Sequence, residues 1–512
     1  MAEAFGGRRL QRSALDRSHV PSLAASATHA HRLGRSARGR EPMTPSPPSP
    51  VAARPEPRPR VLQRLGWRGR DRSINQKIFW AAAITASLSI CTKLFAIGRE
   101  SLVARQFGRS DALDAFLIAL MLPEFLASLI AGSFGSAFIP SFIAARNDQP
   151  RQARTQLLSS VVTASLLLLL VCSLLVCAAA SYYLPWLASG FSAAKLVVTR
   201  HLLYSLAPYL IFGGLAVIYI AILNSEESFA LPAASAILPP LLAILLLLTC
   251  ARPLGIYVLS IGFAGGSLLQ CLILGPAVRR RYPGFRFGWH GADRYLRQIG
   301  SQYTPMLAGA FLMGCTTLVD QVLAATLPAG SVAALAYANR IILAVLALGS
   351  VSISSAMLPY FSQQIASCDW KGCRHTLYTY AKWTMAASLL LTAALIIFSE
   401  PLVRLLYQRG AFKPADAVLV SHLFIALALQ IPFYVVGILF VRLLSALQGN
   451  GFLLWGAVIA LPVDVALDLF FMHFWGIVGI ALATSCMYLA TTAAAALFTP
   501  ILFRRRMREV RR

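Results

Sequence analysis

The chain has 512 residues, of which 57% are hydrophobic and only 13% are charged, and its mean hydropathy is +0.65. A water-soluble protein of this composition would aggregate, so the totals exclude a soluble protein and indicate a polytopic membrane protein. The formal net charge of +26 does not indicate a nucleic-acid partner, because fourteen Arg lie between positions 1 and 70 and six between positions 504 and 512, where basic residues report membrane topology.

Residues 1–72 form a segment without a core. They are rich in Arg, Pro, Ser and Ala, carry no sustained apolar period, and include the run PMTPSPPSP at 42–50. They also lack the apolar stretch of a secretory signal peptide. We expect this segment to be a disordered basic tail that lies against anionic membrane lipids. Translation that starts at Met43 or later would leave much of it out.

Apolar segments follow one another closely from residue 73 onward. Each is long enough to cross a bilayer as a helix, which needs about 20 residues. Prolines inside the longer segments, such as Pro123, Pro208 and Pro432, indicate bent or tilted helices. The sequence therefore predicts an all-α membrane protein with about twelve transmembrane helices, at 76–97, 112–144, 156–180, 197–223, 229–250, 254–278, 300–326, 332–365, 376–399, 415–447, 453–474 and 476–503.

The two halves of the chain repeat each other. The run AFIPSF at 137–142 aligns with AMLPYF at 356–361, and Glu100 aligns with Asp320 at nearly the same offset. An even number of helices per repeat keeps both copies in one orientation, so a pseudo-two-fold axis along the membrane normal should relate them. We predict an N-terminal six-helix bundle at 73–298, a C-terminal six-helix bundle at 299–503, a substrate path between them, and a basic cytoplasmic tail at 504–512.

The loop charges predict the orientation. If the N-terminus is cytoplasmic, the inner loops and the C-terminal tail hold eighteen Lys and Arg, against nine on the opposite side. Because Lys and Arg are retained in the cytoplasm, we predict that both termini are inside. Two of the nine, Arg105 and Arg109, we assign to a surface loop.

The stretch from Lys93 to Pro140 places charged residues within or beside long apolar runs, where an unpaired charge costs about 3 kcal/mol or more. Such charges should face a wet interior, and we prefer a polar cavity for Lys93 and Arg99. The alternative is that some mark only the membrane surface, since Lys and Arg near a helix end can reach the headgroups. The charged residues of this stretch that we expect in the cavity are Lys93, Arg99, Glu100, Asp114 and Glu124.

Motifs of catalysis are missing from the sequence. It contains no nucleophile elbow, phosphate-binding Gly loop or HExxH motif. Its nine cysteines are scattered, mostly within apolar segments, so they predict neither a disulfide framework nor a metal site. We therefore predict that the protein is not an enzyme and uses no cofactor.

Several motifs resemble one known family. The runs GRESLVARQFGRSDALDAF, LPEFL and GSFGSAFIP in the first half, and LVDQVLAATLPAGSVAALAYANRI, LPYFSQQIA and LYQRGAF in the second, occur in that order. They resemble the MurJ/MviN-type lipid flippases of the multidrug/oligosaccharidyl-lipid/polysaccharide exporter superfamily. The resemblance covers about residues 74–503. It implies two six-helix bundles around a cationic cavity, in a bacterial inner membrane protein that moves polyprenyl-diphosphate-linked glycans such as the peptidoglycan precursor lipid II.

The resemblance implies roles for particular residues. Lys93, Arg99 and Arg340 match cavity cations that bind the lipid diphosphate, and Asn339 beside Arg340 joins the polar lining. In the second half, Asp320, Asp464 and Asp468 match a cation site, so coupling to Na⁺ or H⁺ becomes a hypothesis. Asp464 and Asp468 share a helix face, being four residues apart. The alternative is a structural pair in which Arg442 neutralises one Asp.

Three departures from the family pattern bear on the substrate. The family carries Arg after the LPN-like turn of its second helix, where this chain has Ala127 and Ser128, with Glu124 just before. Lys93 stands in place of a bidentate Arg. The lipid II flippases also have two further C-terminal helices. These departures favour an exopolysaccharide or surface-polysaccharide unit over lipid II by a narrow margin.

Two other functions fit a membrane protein of this kind. A multidrug exporter of the same superfamily would favour acidic and aromatic cavity residues over Lys93, Arg99 and Arg340. A membrane-embedded glycan polymerase or ligase would need a large outer loop with catalytic groups, and the predicted outer loops are short. We therefore expect a flippase that works by alternating access, with the lipid-linked glycan, membrane lipids and glycan-synthesis proteins as partners.

Overall fold

A computed structural model describes residues 74–511 of the chain, apart from 292, 448 and 449. The basic tail predicted at 1–72 lies outside the described residues. In the first half, the chain forms helices α1 (Ile74–Phe107), α2 (Asp111–Ala127), α3 (Ser133–Asp148), α4 (Arg151–Ala178), α5 (Ala180–Leu187), α6 (Ala193–Ser225), α7 (Ala230–Ser235), α8 (Leu238–Thr249), α9 (Ala251–Leu254) and α10 (Tyr257–Arg281).

The second half begins after a linker that runs from 282 to 293. Its helices are α11 (Arg294–Ala325), α12 (Ser331–Ala366), α13 (Trp370–Ile397), α14 (Ser399–Tyr407), α15 (Pro414–Ala428), α16 (Gln430–Ala446), α17 (Asn450–Trp475) and α18 (Ile477–Arg511). The last helix continues through most of the segment that we predicted as a tail at 504–512.

The described part of the chain contains ten helical segments that are long and apolar enough to cross a membrane. The two remaining predicted spans lie on α1 and α12, which have 34 and 36 residues. A lipid environment supplies no partners for backbone polar groups, so apolar segments of this length are stable only as helices. The prediction of an all-α polytopic membrane protein is confirmed. Short helices α5, α9 and α14 at the segment ends were not predicted.

The structure repeats itself as the sequence does. Arg151–Ala178 in the first half and Trp370–Ile397 in the second both have 28 residues, and they are related by the same offset as the motifs AFIPSF and AMLPYF. Ala193–Ser225 corresponds to the segment Pro414–Ala446, and both have 33 residues. Two similar helical lobes therefore make up the molecule, as the repeat predicted.

Bends occur at some of the predicted positions. Pro123 lies in α2, and a π-helical turn at Ser128–Gly132 joins α2 to α3. The second-half segment is broken between α15 and α16, close to Pro432, whereas α6 runs unbroken through Pro208. Prolines and π-turns are the ordinary causes of such bends. The bend in the first segment lets α2 pack against α6 and α12, while α3 packs against α11.

In the part of the chain that the structure describes, buried apolar side chains form three clusters. One lies mainly in the first half, includes Phe138 and Phe142, and is joined by Ile299 at the start of α11. Another lies in the second half around Phe361 and Leu443. The largest contains residues of both halves, such as Leu113. The two lobes are therefore packed together along one side, and charged residues from both lobes meet beside this packing.

Candidate functional site

A cluster of three charged side chains joins the two halves. Glu100 on α1 forms ion pairs with Arg99, its neighbour, at 2.5 Å, and with Arg340 on α12. Glu100 and Arg340 are 240 positions apart along the chain, yet the fold brings them together. We call these residues the Arg99–Glu100–Arg340 cluster.

The cluster lies in a confined space. The side chains of Arg99 and Glu100 are only 13% and 11% exposed, and that of Arg340 is 29% exposed. The guanidinium of Arg99 also lies over the Phe263 ring on α10, 4.7 Å from its centroid, which adds a cation–π contact. The cavity beside the cluster measures about 10 Å³, which is room for about one water molecule. The space directly beside the cluster is therefore too small for a substrate in this structure.

The charge balance of the cluster suits an anion. Two guanidinium groups share one carboxylate, so the cluster carries one net positive charge when all three groups are ionised. Removing one partner of a buried ion pair leaves a charge without compensation, which is strongly destabilising. An incoming diphosphate could take the place of Glu100, since guanidinium groups bind phosphate oxygens in the same bidentate way as carboxylates.

One end of the molecule is sealed by contacts between the halves, and we call this region the seam. Asp114 on α2 accepts hydrogen bonds from the backbone N–H groups of Gly330, at 2.6 Å, and Ala333, at 2.9 Å, at the start of α12. A carboxylate at this position complements the unpaired N–H groups and the dipole of the helix. Lys195 on α6 lies 3.2 Å from Asp114 and 2.5 Å from Asp111, and so neutralises Asp114.

Backbone contacts close the same seam. The N–H of Ala411 donates to the carbonyl of Arg105 at 2.8 Å. Arg109 donates to the Gly330 carbonyl at 3.2 Å and forms an ion pair with Asp416 at 3.2 Å. The sequence assigned Arg105 and Arg109 to a surface loop, whereas Arg105 lies in the last turn of α1. Both residues link the two halves.

Glycines permit this close approach. Gly108, Gly330 and Gly410 all have positive φ angles, of 52°, 82° and 61°. A Cβ atom on Gly108 would lie 2.5 Å from the Ala411 carbonyl oxygen, and one on Gly410 would collide with the Arg105 carbonyl oxygen. The seam is thus built from turns that other residues could not form without strain.

Aromatic side chains fill the space between the seam and the cluster. Tyr337 packs against Tyr407, with ring centroids 4.9 Å apart, and against Phe412 at 5.5 Å. The Tyr337 hydroxyl donates to the Gly108 carbonyl at 3.1 Å. Burial raises the pKa of the Tyr407 hydroxyl above its ordinary value, so Tyr407 is uncharged at neutral pH. The three aromatic rings therefore form an uncharged layer between the seam and the cluster.

The other predicted cavity residues have different surroundings. Glu124 is exposed and lies on the α2 face that also carries Leu117, a residue of the cavity wall. Asn339 is half-buried next to Arg340. Lys93 is exposed on a face of α1 that also carries the exposed Ile90 and Ile97. The structure therefore does not bring Lys93 into contact with the Arg99–Glu100–Arg340 cluster.

Three acidic residues meet in the second half. Asp320 on α11 and Asp464 and Asp468 on α17 place one carboxylate oxygen each within 4.8 Å of one another. Asp464 and Asp468 are 1% and 0% exposed, and none of their carboxylate oxygens accepts a hydrogen bond from the residues that the structure describes. Arg442 therefore makes no hydrogen bond to Asp464 or Asp468. Oxygen donors at this spacing fit a hard cation, and a shared proton would also relieve their repulsion.

Several residues of the site were missed at the level of sequence. Lys195 and Asp416 carry no motif that marks them, and their roles depend on loops far apart in the chain. Tyr407 was not singled out by the sequence, and it is the last residue of α14 and is buried. The internal repeat offered one signal. Gly108 and Gly330 occupy corresponding places in the two halves, since each lies in the turn between a long apolar helix and the helix that follows it.

Comparison with known proteins agrees with this arrangement. The sequence profile of the family described as lipid II flippase MurJ matches residues 103–506. A protein of Vibrio cholerae named probable lipid II flippase MurJ is 25% identical over 436 residues, which are 81% of each chain. The relatives are transporters rather than catalysts of a chemical reaction.

Solved structures share the fold. A structure of lipid II flippase MurJ in an inward closed conformation superposes with a TM-score of 0.72 at 24% identity, over 83% of this chain and 90% of that one. An inward-facing multidrug resistance transporter of the MATE family gives a TM-score of 0.64 at 16% identity, over 83% and 99%. These likenesses concern the fold alone, whereas the family profile spans most of the sequence. The chain therefore belongs to the MurJ family of lipid II flippases, as its motifs indicated.

Proposed function

We propose that this protein is a flippase of the bacterial inner membrane that carries a polyprenyl-diphosphate-linked glycan across the bilayer by alternating access. The observation that carries this proposal is the Arg99–Glu100–Arg340 cluster, which joins the two lobes through charge. Membership of the family supports the substrate class, since the relatives are named lipid II flippases.

The depth of the cluster suits this function. Arg340 lies nine residues into α12 from Ser331, which is about 14 Å along a helix. The hydrocarbon core is about 30 Å thick, so this depth is close to the midplane if α12 starts at the membrane surface. A lipid diphosphate that leaves one leaflet needs opposite charge there, because a charge without a partner at the bilayer centre is costly.

The charge of the loops supports one orientation. The seam, at Phe107–Asp114 and Tyr407–Asp416, lies at the end opposite the basic loops that hold Arg279, Arg280 and Arg281. With both termini in the cytoplasm, as the positive-inside rule favours, the seam faces the periplasm. The structure then corresponds to the state in which the periplasmic side is closed.

Two glycan classes remain in the proposal. The names of the relatives favour lipid II. The absence of the family's cation after the second-helix turn, where Ala127 is buried and Ser128 is exposed, favours an exopolysaccharide or surface-polysaccharide unit as the second candidate. Both contain the diphosphate for which the cluster is suited.

We further propose that the three carboxylates of Asp320, Asp464 and Asp468 bind Na⁺ or a proton and couple its gradient to transport. Their mutual repulsion in a buried site is relieved by a bound cation or by protonation. Helix α11 contacts both α17 of its own half and α3 of the other. A movement of α11 on binding of the cation can therefore alter the contacts between the two halves.

The proposal is tested by flipping of labelled lipid II and of a labelled polyprenyl-diphosphate-linked exopolysaccharide unit in proteoliposomes. Arg340→Ala and Arg99→Ala should each lower the rate about tenfold or more, because a charge-assisted hydrogen bond contributes about 1.5–3 kcal/mol. Arg404→Ala is the matched control, since Arg404 is 52% exposed and pairs with Glu400 on its own helix. Unchanged rates in both cavity variants would exclude the cluster as the diphosphate site.

Assays of drug transport and of glycan elongation in the same proteoliposomes distinguish the rival functions. A multidrug exporter would move cationic drugs and would tolerate loss of Arg99 and Arg340. A polymerase or ligase would lengthen the glycan without moving the lipid between leaflets. We expect neither result.

A further inference from the structure

Glu124 is a carboxylate at membrane depth that the proposed diphosphate site does not use. It lies fourteenth in α2, one residue after Pro123. Its side chain is exposed and makes neither a hydrogen bond nor an ion pair with any residue that the structure describes. Acidic side chains are costly inside a membrane unless they face water or a partner, so an acidic residue that is retained there points to a function.

The helix face on which Glu124 lies is directed inward. Leu113 and Leu117, which line the cavity beside the cluster, lie on the same face of α2, and the intervening Leu120 and Met121 are buried. Glu124 follows Leu117 by seven residues, which is two helical turns or about 10 Å. It is therefore a continuation of the cavity wall on the side away from the seam.

Charge connects Glu124 to the cluster. Its carboxylate lies near enough to the Arg340 guanidinium of α12 for the two opposite charges to attract each other. An anion placed here opposes a diphosphate and does not help to bind it. The position therefore requires a ligand group of another chemical kind next to the diphosphate.

We propose that Glu124 is a specificity-determining residue that accepts hydrogen bonds from the hydroxyl groups of the first sugar of the substrate. This inference rests on the proposed function, because the sugar is joined directly to the diphosphate that the cluster binds. A carboxylate has two acceptor oxygens and no donor, which suits two neighbouring hydroxyl groups. The exposed Ser128, in the π-helical turn that follows α2, lies four residues further on the same face. Its hydroxyl donates to the Phe125 carbonyl at 2.9 Å and can still accept a hydrogen bond from a sugar hydroxyl.

The test compares two ligands on the full-length protein in nanodiscs. The probes are undecaprenyl diphosphate, which lacks a sugar, and undecaprenyl diphosphate linked to N-acetylglucosamine. Glu124→Ala should weaken binding of the sugar-bearing lipid about tenfold or more and should leave binding of the sugar-free lipid unchanged or tighter. Glu124→Gln, which keeps one acceptor oxygen, should give an intermediate loss. A site that hydrogen-bonds a ligand hydroxyl discriminates strongly when one partner is removed.

Two control variants separate this inference from the proposed function. Glu400→Gln removes an exposed carboxylate outside the site and should change neither affinity. Arg340→Ala should weaken the binding of both lipids. If it changes neither affinity, the proposed diphosphate site is wrong, whereas a selective effect of Glu124→Ala would still support sugar binding. If Glu124→Ala changes the affinity for the two lipids equally, Glu124 acts only on the diphosphate that both lipids share, and the inference is wrong. No change in either affinity would also overturn the inference.

Discussion

At the scale of residues, the site depends on how each charge is compensated. Glu100 is neutralised by two arginines, and Asp114 by Lys195 and by two backbone N–H groups. Glu124 and the carboxylates of Asp464 and Asp468 have no such partner among the described residues. The compensated charges hold the closed state together, and the uncompensated ones are the candidates for binding a sugar or a cation.

Ion binding by the three carboxylates has a direct measurement. Na⁺ should raise the melting temperature of the purified protein, because a ligand that binds the folded state stabilises it, and an equal concentration of K⁺ should raise it less. Asp468→Asn should abolish the Na⁺ effect. The control is Asp369→Asn, because Asp369 is exposed and serves as the N-cap of α13, a role that Asn can fill.

The pH dependence distinguishes Na⁺ from a proton. If the site takes up a proton, the melting temperature should rise as the pH falls, without a Na⁺ effect, and Asp468→Asn should remove that dependence. A melting temperature that responds to neither Na⁺ nor pH would contradict coupling through this site.

At the scale of elements, the ends of helices decide how closely the halves approach. The start of α12 lies against α2 through Asp114, and the turn between α1 and α2 lies against the loop after α14 through Gly108 and Ala411. The helices themselves are fixed by apolar length, whereas these turns depend on single glycines.

Gly108→Ala should loosen the seam. Its positive φ costs an alanine about 1 kcal/mol or more, and its Cβ would in addition lie 2.5 Å from the Ala411 carbonyl oxygen. Gly255→Ala is the matched control, because Gly255 has a similar φ of 54° but no described atom within 4 Å of the added Cβ.

Thiol labelling reports the result. In a cysteine-free background, a cysteine at Ala333, which is fully buried at the seam, should react faster with a membrane-impermeant maleimide in Gly108→Ala than in Gly255→Ala. Equal labelling rates in the two variants would show that the close approach at Gly108 does not hold the seam shut.

At the scale of the whole molecule, the contacts between the lobes divide into two kinds. The seam is dense with hydrogen bonds and ion pairs, whereas towards the other end of the cavity wall Glu124 and Ser128 are exposed. Sealing at one end of a path between two lobes is the arrangement expected of one state in an alternating-access cycle.

A disulfide across the seam should stop the proposed alternating-access cycle. Cysteines at Arg105 and Ala411, whose backbones share a hydrogen bond, should crosslink on oxidation and bring flipping to background, and reduction should restore it. The control pair replaces Ala243 and Gly262 within the first half, where a Cβ atom on Gly262 would lie 3.1 Å from that of Ala243, and its oxidation should leave flipping unchanged. Flipping that continues through a fully crosslinked seam would rule out opening at this end.

The sequence by itself determined the class of fold, the helical segments and the repeat. Apolar length identifies membrane helices because a run of about 20 apolar residues can satisfy all its backbone groups in lipid only as a helix, and the common offset indicated that six helices recur. It also singled out Arg99 and Glu100, since charges in apolar runs are rare and expensive, whereas Arg340 was indicated only by the resemblance of its motif to a known family.

Only the tertiary structure decided which of these charges meet. It paired Glu100 with both arginines, left Lys93 apart on an exposed face, and brought Arg109 and Lys195 into the seam. Contacts between residues hundreds of positions apart depend on the packing of the lobes and on loop geometry, and the periodicity of a single helix contains no information about either.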